Sequence, residues 1–254
     1  MNITRHQKEI LQNYARWEKK PLLREIYREF HRKIAARLSG LENPLVVELG
    51  SGIGNIKEVI PGCLRTDLFA NPWLDLVENA YALSFGEASV SDLILFDVFH
   101  HLRYPGTAFK EFWRVLRPGG RLIIFDPFIS LTGALVYGWL HPEPVAWGEY
   151  IDWFAPADWT PSQADYYAAQ GNATRIFYGR LAGNLLADWR LLGKYRYAAF
   201  SYIASGGYSG PQLYPAKAYG LMRGLDSVLD ALPFLFATRT LIVLEKPRRR
   251  AGIE

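Results

Sequence analysis

Residues 46–54 read Val-Val-Glu-Leu-Gly-Ser-Gly-Ile-Gly, a short apolar run that ends in glycines at every second position. Glycine is needed after such a run so that the backbone can turn sharply and come close to a ligand. The dinucleotide fingerprint G-x-G-x-x-G calls for a sixth-position glycine, and Asn55 stands there instead. Glu48 sets a carboxylate at the mouth of the loop, where it repels a pyrophosphate and attracts an ammonium or sulfonium group. The loop therefore suits a nucleoside that carries positive charge and no phosphate.

Outward from this loop, apolar runs alternate with helical stretches. Leu45–Leu49, Cys63–Asp67, Asp92–Phe96 and Arg121–Phe125 read as strands, and Arg117–Gly120 as a turn. Asn55–Ile60, Trp73–Ala80 and Thr107–Leu116 read as helices. The alternation predicts a parallel, doubly wound sheet with its chemistry at the carboxyl ends of the strands, near residues 48–54, 67, 97–101 and 126–128. Asp67 lies nineteen residues beyond Glu48 at one such end. Its carboxylate can accept both hydroxyls of a ribose or simply cap a helix.

Beyond Pro127 the rhythm breaks. Residues 128–190 are rich in Trp and Tyr and are expected to form a cap over the strand ends. The aromatics Phe128, Tyr137, Trp139, Trp147, Tyr150, Trp153, Phe154, Trp159, Tyr166, Tyr167, Phe177 and Tyr178 pack a core or line a substrate pocket suited to a sugar, an acyl or prenyl chain, or an aromatic ring. Strand character returns at Tyr195–Ile203 and Arg239–Glu245, with a helix over Ala216–Leu232 between them. Leu122–Leu140 has the single charge Asp126, but Pro127 and Gly133 interrupt it, which argues against a membrane span. The expected organisation is a helical segment or lid over 1–40, a sheet domain over 41–127 and 191–246, a cap over 128–190 and a basic tail over 247–254.

With 254 residues, 50% of them hydrophobic, 15% aromatic and 21% charged, the chain can bury a large core and is not a disordered one. The lone Cys63 excludes an internal disulfide framework and a Cys-rich zinc site and points to a cytoplasmic setting. No apolar leader is visible in MNITRHQKEILQNY. The net charge of +4 divides unevenly: residues 1–40 hold ten Lys and Arg against four Asp and Glu, while residues 41–245 hold fifteen against twenty. An acidic body counts against a broad nucleic-acid surface, so anionic contacts belong to the ends. Residues 7–38 have helical apolar spacing divided by Pro21. They read as packing helices with a solvated basic face, as a lid, or as a surface helix in peripheral contact with anionic lipid.

The segments VVELGSGIG, RTDLF, NAYALSF, DLILFDVFHHL and RVLRPGGRLIIFDP, in this order and spacing over about residues 43–127, resemble the motifs of class I S-adenosylmethionine-dependent methyltransferases of the type 11 group. RTLIVLE fits that family's antiparallel edge strand. The resemblance implies an α/β, Rossmann-like sheet of seven strands and S-adenosyl-L-methionine as cofactor. By it, Glu48, Gly50, Ser51, Gly52 and Gly54 hold the amino-acid end of the cofactor, and Asp67 with Leu68 frames the ribose. Asn79 and Ala80 flank the adenine, and Asp97 with Val98 lies beneath the methionine portion. Many members have Asp where Asn79 stands; the amide oxygen of Asn can still accept. FISLTGALVYGWLHPEPV and GGYSGPQLYP are similar to segments of bacterial methyltransferases associated with surface polysaccharide or glycolipid assembly.

An S-methyl sulfonium is already electrophilic, so the protein must align the nucleophile, exclude water and, for a hydroxyl acceptor, remove a proton. His100 and His101 directly follow the fourth strand and read as base, substrate contact or a backbone-bonded turn. His141, beside Glu143, reads as a charged pair reaching the site or as a structural residue, and His6 and His31 as surface residues of the basic helices. No metal is called, because the two acids and Asn of a cation-dependent O-methyltransferase do not occur in pattern. The DPPY or NPPF signature of amino-group methylation is missing, and Cys63 has no Pro-Cys context for covalent attack on cytosine. The expected activity is in-line O-methylation of a small-molecule or lipid-linked glycan acceptor. Alternatives are N- or C-methylation of a quinone or polyketide, with RNA methylation and a non-catalytic cofactor-binding subunit ranked lower.

Overall fold

The structure is a computed structural model and describes residues 3–140, 145–165, 167–179, 181 and 186–248. In chain order the helices and strands are α1 Ile3–Lys19, α2 Pro21–Ala35, β1 Val46–Leu49, β2 Leu64–Asp67, β3 Leu76–Val77, β4 Val90–Phe96, α3 Pro105–Val115 and β5 Leu116–Pro127. They continue as α4 Leu131–Leu135, α5 Asn172–Phe177, β6 Arg190–Tyr197, α6 Phe200–Ala204, α7 Tyr219–Leu229, α8 Pro233–Phe236 and β7 Arg239–Glu245.

One sheet of seven strands in the order β3-β2-β1-β4-β5-β7-β6 organises the chain. The first five of these are parallel, and β7 runs antiparallel to both β5 and β6 at that edge. The strand order reverses between β1 and β4, so a crevice opens at the carboxyl ends of those two strands. Every residue of β4 and of β7 is buried, which is why each carries an unbroken apolar stretch, Leu93–Phe96 and Leu241–Leu244. On one face α2 lays Ile26, Phe30 and Ile34 against Ile94, Ile123 and Phe125. On the other, Phe109 and Phe112 of α3 and Ile176 of α5 pack against Leu93, Leu95 and Ile124. Each layer buries one stripe of an amphipathic helix on one face of the sheet.

Four sequence expectations change. Residues 117–120 are not a turn before the strand: Leu116 and Arg121 pair with Val90 and Asp92 of β4, and β5 runs through the irregularity between them. Residues 73–80 do not form a helix: Asn71 Oδ1 accepts from the Trp73 N–H at 3.0 Å, and the Asp75 carboxylate accepts from the Arg65 backbone at 2.9 Å and from its guanidinium. Side chains that bond the backbone in this way displace helical bonding, and the segment runs as turns into the two-residue β3. The strand expected over 195–203 stops at Tyr197. Ala199 takes a left-handed φ of 53°, and Asp226 Oδ1 accepts from the Phe200 N–H at 2.7 Å, which starts α6. His31 is not on the surface; it is 1% exposed, edge-on to Phe96 and Tyr27, on the sheet-facing side of α2. Burial lowers its pKa to about 3, so the ring is neutral.

Described residues of segment 128–189 bond to His100 after β4, to Thr107 of α3 and to one another. The Ala169 N–H donates to His100 O at 3.0 Å, the Ile129 N–H to Thr174 Oγ1 at 2.9 Å, and the Ala155 N–H to Thr107 Oγ1 at 2.9 Å. No helix among the described residues is long and apolar enough to cross a membrane.

Candidate functional site

The loop after β1 holds Gly50, Gly52 and Gly54 at φ 69°, 52° and 68°, a region that side chains disfavour. A Cβ on Gly50 would meet Val98 Cγ2 at 2.3 Å, and one on Gly54 would meet the Trp73 carbonyl oxygen at 2.9 Å. The loop is pinned to β2 from both sides. Ser51 N–H donates to Thr66 O at 2.7 Å, Thr66 N–H donates to Ser51 Oγ at 3.1 Å, and Gly52 N–H donates to Asp67 Oδ2 at 3.1 Å. Glu48 is buried beneath the loop with Oε2 lacking a hydrogen-bond partner, and burial pushes its carboxyl up to about 7. Helix α1 runs over the loop. Ile10 Cδ1 lies 3.6 Å from where a Gly52 Cβ would stand, and Tyr14 stacks on Trp73 with centroids 4.5 Å apart.

The ends of β4, β5 and β7 bring a second set of groups together. Asp97, at a left-handed φ of 57°, turns across the sheet end and pairs with the Arg239 guanidinium at the start of β7. Arg239 is 3% exposed, lies 4.7 Å from the Tyr202 ring centroid, and leaves Nε without a partner. Burial opposes its charge, but the Asp97 carboxylate holds the guanidinium firmly protonated. Next to this pair, buried His100 Nδ1 donates to Asp126 Oδ1 at 2.9 Å. Burial raises the Asp126 pKa against the pull of His100. The His101 ring is tilted against that of His100 with centroids 4.0 Å apart, and its Nδ1 lies 2.6 Å from Tyr167 O. A carbonyl can only accept, so Nδ1 carries the proton in neutral His101 and Nε2 is its basic nitrogen.

Tyrosines enclose this centre. Tyr27 of α2 meets Tyr202 and Tyr208 edge-on at 6.0 and 5.4 Å, and Tyr137 donates its hydroxyl to Thr238 O at 3.0 Å. Burial raises the pKa of Tyr27, Tyr137 and Tyr208, so all three stay neutral donors. Asn55 Nδ2 donates to Tyr208 Oη at 3.2 Å, which ties the glycine loop to this second set.

Glu48, Gly50, Ser51, Gly52, Gly54 and Asp67 thus stand together at the β1 and β2 ends. Val98 packs on Gly50, and Leu68 is half-buried beside Asp67. Asn79 and Ala80 are half-buried after β3; Asn79 Nδ2 donates to Pro161 O at 2.8 Å, and its Oδ1 accepts from Tyr81 N–H at 3.0 Å. His141, Glu143 and Tyr166 lie outside the described residues. Among the cap aromatics, Tyr137 reaches the centre, while Trp139, Trp147, Tyr150 and Phe154 are exposed. Sequence reading did not assign Tyr27, Tyr202, Tyr208 or Arg239 to the site. The one local signal is an arginine opening the otherwise apolar strand RTLIVLE, where a buried guanidinium needs a carboxylate.

The model of the methyltransferase domain family matches residues 62–124, from just before β2 into β5. Among solved structures, a SAM-dependent methyltransferase from Archaeoglobus fulgidus superposes with a TM-score of 0.53 at 12% identity, covering 88% of this chain and 94% of that one. A complex of a Haloferax volcanii putative methyltransferase with the Trm112 methyltransferase activator gives 0.51 at 18% identity, covering 89% and 92%. Geranyl diphosphate C-methyltransferase from Streptomyces coelicolor, solved with Mg2+, geranyl diphosphate and S-adenosyl-L-homocysteine, gives 0.50 at 13% identity, covering 86% and 78%. No curated protein matches the chain by sequence. At these identities the structural likeness establishes the fold, a Rossmann-like sheet of seven strands.

Proposed function

We propose that this S-adenosylmethionine-dependent methyltransferase transfers its methyl group to a hydroxyl of a ring-bearing acceptor, a small molecule or the sugar of a lipid-linked glycan, with His101 as the base. The observation that carries the reading is the paired imidazoles at the end of β4. The Tyr167 carbonyl fixes the His101 tautomer, and His100 is anchored behind it by Asp126.

The first set of groups fits the cofactor. A cation bearing a ribose and no phosphate suits a glycine loop over a buried carboxylate with one unpartnered oxygen, with Asp67 alongside. Glu48 and the loop backbone from Gly50 to Gly54 would hold the amino-acid end, Asp67 and Leu68 the ribose, Asn79 and Ala80 the adenine, and Asp97 and Val98 the methionine side. When bound, the cofactor supplies an electrophilic methyl group on a sulfonium. The rest of the work is positioning, exclusion of water by α1 and the cap, and removal of one proton from the acceptor hydroxyl to His101 Nε2. Tyr202 and Tyr208, half-buried beside Tyr27, would present faces and hydroxyls on which a polyhydroxylated or aromatic ring can stack and bond.

The test is His101→Gln, assayed by release of S-adenosylhomocysteine. Turnover falls about a hundredfold, cofactor affinity by calorimetry stays near normal, and the low-pH limb of the rate profile assigned to the imidazole disappears. Unchanged turnover would remove His101 from the chemistry and favour an acceptor that attacks without prior deprotonation, such as a neutral amine.

A further inference from the structure

Helix α7 is turned inside out. None of its residues is buried, and its one acid, Asp226, faces inward with the C-cap Asp230 over a groove of about 100 Å³ lined by Glu29, Lys33 and Tyr197 among others. There Asp226 caps the Phe200 N–H, and Asp230 Oδ1 accepts from the Ala198 N–H at 2.7 Å. The outer face is apolar: Leu221 is 78% exposed and Val228 70%, with Leu225 between them at helical spacing. The chain continues into α8, where Phe234 is 76% exposed. Helix α8 packs on α4, and Ser130 and Thr132 hydroxyls donate to Leu235 O at 3.1 and 2.7 Å. Helix α4 and the turn after it add Leu131, Leu135 and Trp139 at spacings of four, Trp139 being 85% exposed.

We infer that this α7–α8–α4 ridge docks on the surface of an anionic lipid bilayer. Charge selects the occupant. Residues 131–140 contain no Asp, Glu, Lys, Arg or His, and in 213–236 the acids Asp226 and Asp230 are turned inward while Lys217 is exposed and the exposed Arg223 pairs with Glu29. The N-terminal end of α7 borders α2, where Arg24, Glu25 and Arg28 line a shared surface groove with Ala216 and Tyr219; Arg24 pairs with Glu18, and Arg28 with Glu25 and Glu58. Residues 1–40, which include α2, hold ten basic groups against four acidic ones. An apolar strip with a basic border matches apolar insertion at the headgroup boundary beside anionic lipid. A second copy docked on the same ridge would set that basic border against itself.

The ridge also lies next to the chemistry. Tyr137, on the turn that continues α4, is buried beside Arg239, while Trp139 two residues on points outward. Delivery of a lipid-linked acceptor from the bilayer rests on the proposed function; docking of the ridge does not.

The experiment is co-sedimentation of the full chain with vesicles of phosphatidylglycerol and phosphatidylcholine in equal parts, against vesicles of phosphatidylcholine alone. The chain is expected to pellet with the mixed vesicles and much less with the neutral ones. The Leu221→Glu/Val228→Glu double variant is expected to lose about tenfold or more in partitioning, and the neutral truncation Trp139→Ser several-fold. S-adenosylmethionine binding by calorimetry should be the same in all of these proteins, which separates failure of docking from failure of the methyltransferase reading. No pelleting with either vesicle, equal pelleting with both, or a dimer by light scattering that Leu221→Glu/Val228→Glu dissolves would overturn the inference.

Discussion

At the β1–β2 half of the carboxyl edge, the site is made of backbone. Gly50, Gly52 and Gly54 adopt left-handed turns, Ser51 and Thr66 stitch the loop to the next strand, and the acids Glu48 and Asp67 come from the same twenty residues. At the β4–β5–β7 half the site is made of side chains from distant segments: Tyr27, Asp97, His100, Asp126, Tyr137, Tyr202, Tyr208 and Arg239. The first half depends on conformations that only glycine holds cheaply, and the second on mutual satisfaction of buried charge and hydrogen bonds. A substitution in the first should therefore act on ligand affinity, and one in the second on the fold itself as well as on turnover.

The largest effect is expected at the Asp97–Arg239 pair. Asp97→Asn leaves a guanidinium that is 3% exposed without its counter-charge, at a cost of about 3 kcal/mol. Thermal unfolding should show a fall of roughly 10 °C for a chain of this size. The double variant Asp97→Asn/Arg239→Met removes both charges and should recover much of that loss while remaining impaired in turnover. A single variant as stable as the wild type would show that this half of the edge is not held by its buried charges.

Next in size is Asp67→Ala, which strikes the backbone-built half. Its carboxylate accepts from Gly52 N–H at 3.1 Å and Phe69 N–H at 3.3 Å beside the proposed ribose position. S-adenosylmethionine affinity should fall by about 2 kcal/mol, roughly thirtyfold, with the melting temperature changed far less. Unchanged affinity by calorimetry would refute the ribose assignment. A fall in stability as large as that of Asp97→Asn would erase the distinction between the halves.

The same contrast explains what the sequence made legible. The parallel sheet, the glycine loop and Asp67 follow from residues within one strand–loop–strand unit, where spacing alone places side chains at a strand end. His100 and His101 could be placed at a strand end for the same reason, since they directly follow β4. Arg239 and Tyr208 sit 142 and 111 residues from Asp97 along the chain, and no local period links them. Their meeting is decided by tertiary packing: β7 inserts beside β5, and Lys20 holds the 206–210 loop through the Gly207 and Gly210 carbonyls at 2.7 Å. His31 was misplaced because a basic neighbourhood in sequence says little about which side of a helix meets the sheet. Arg28, Arg32 and Lys33 surround it in sequence, but it shares the face of Tyr27, Phe30 and Ile34.

The smallest expected effect lies in the pH response of the glycine loop. Burial raises the Glu48 carboxyl from an ordinary 4.5 to about 7, so the folded protein holds this proton more tightly than the unfolded chain does. Its contribution to stability is therefore largest below the ordinary value and declines as pH rises toward 7, where the buried group must ionise. Binding of a cation has the opposite sign, because the carboxylate attracts a sulfonium only once it is charged. S-adenosylmethionine affinity should thus improve as pH rises through 7, by about 1 kcal/mol or roughly fivefold in Kd. Glu48→Gln should flatten both trends at once, leaving affinity near the low-pH wild-type value throughout. Calorimetric titrations and melting curves across the same pH series check this. A wild-type affinity that stays level through neutrality would mean that the cation does not lie against Glu48, and the backbone of the loop alone would then have to hold the cofactor.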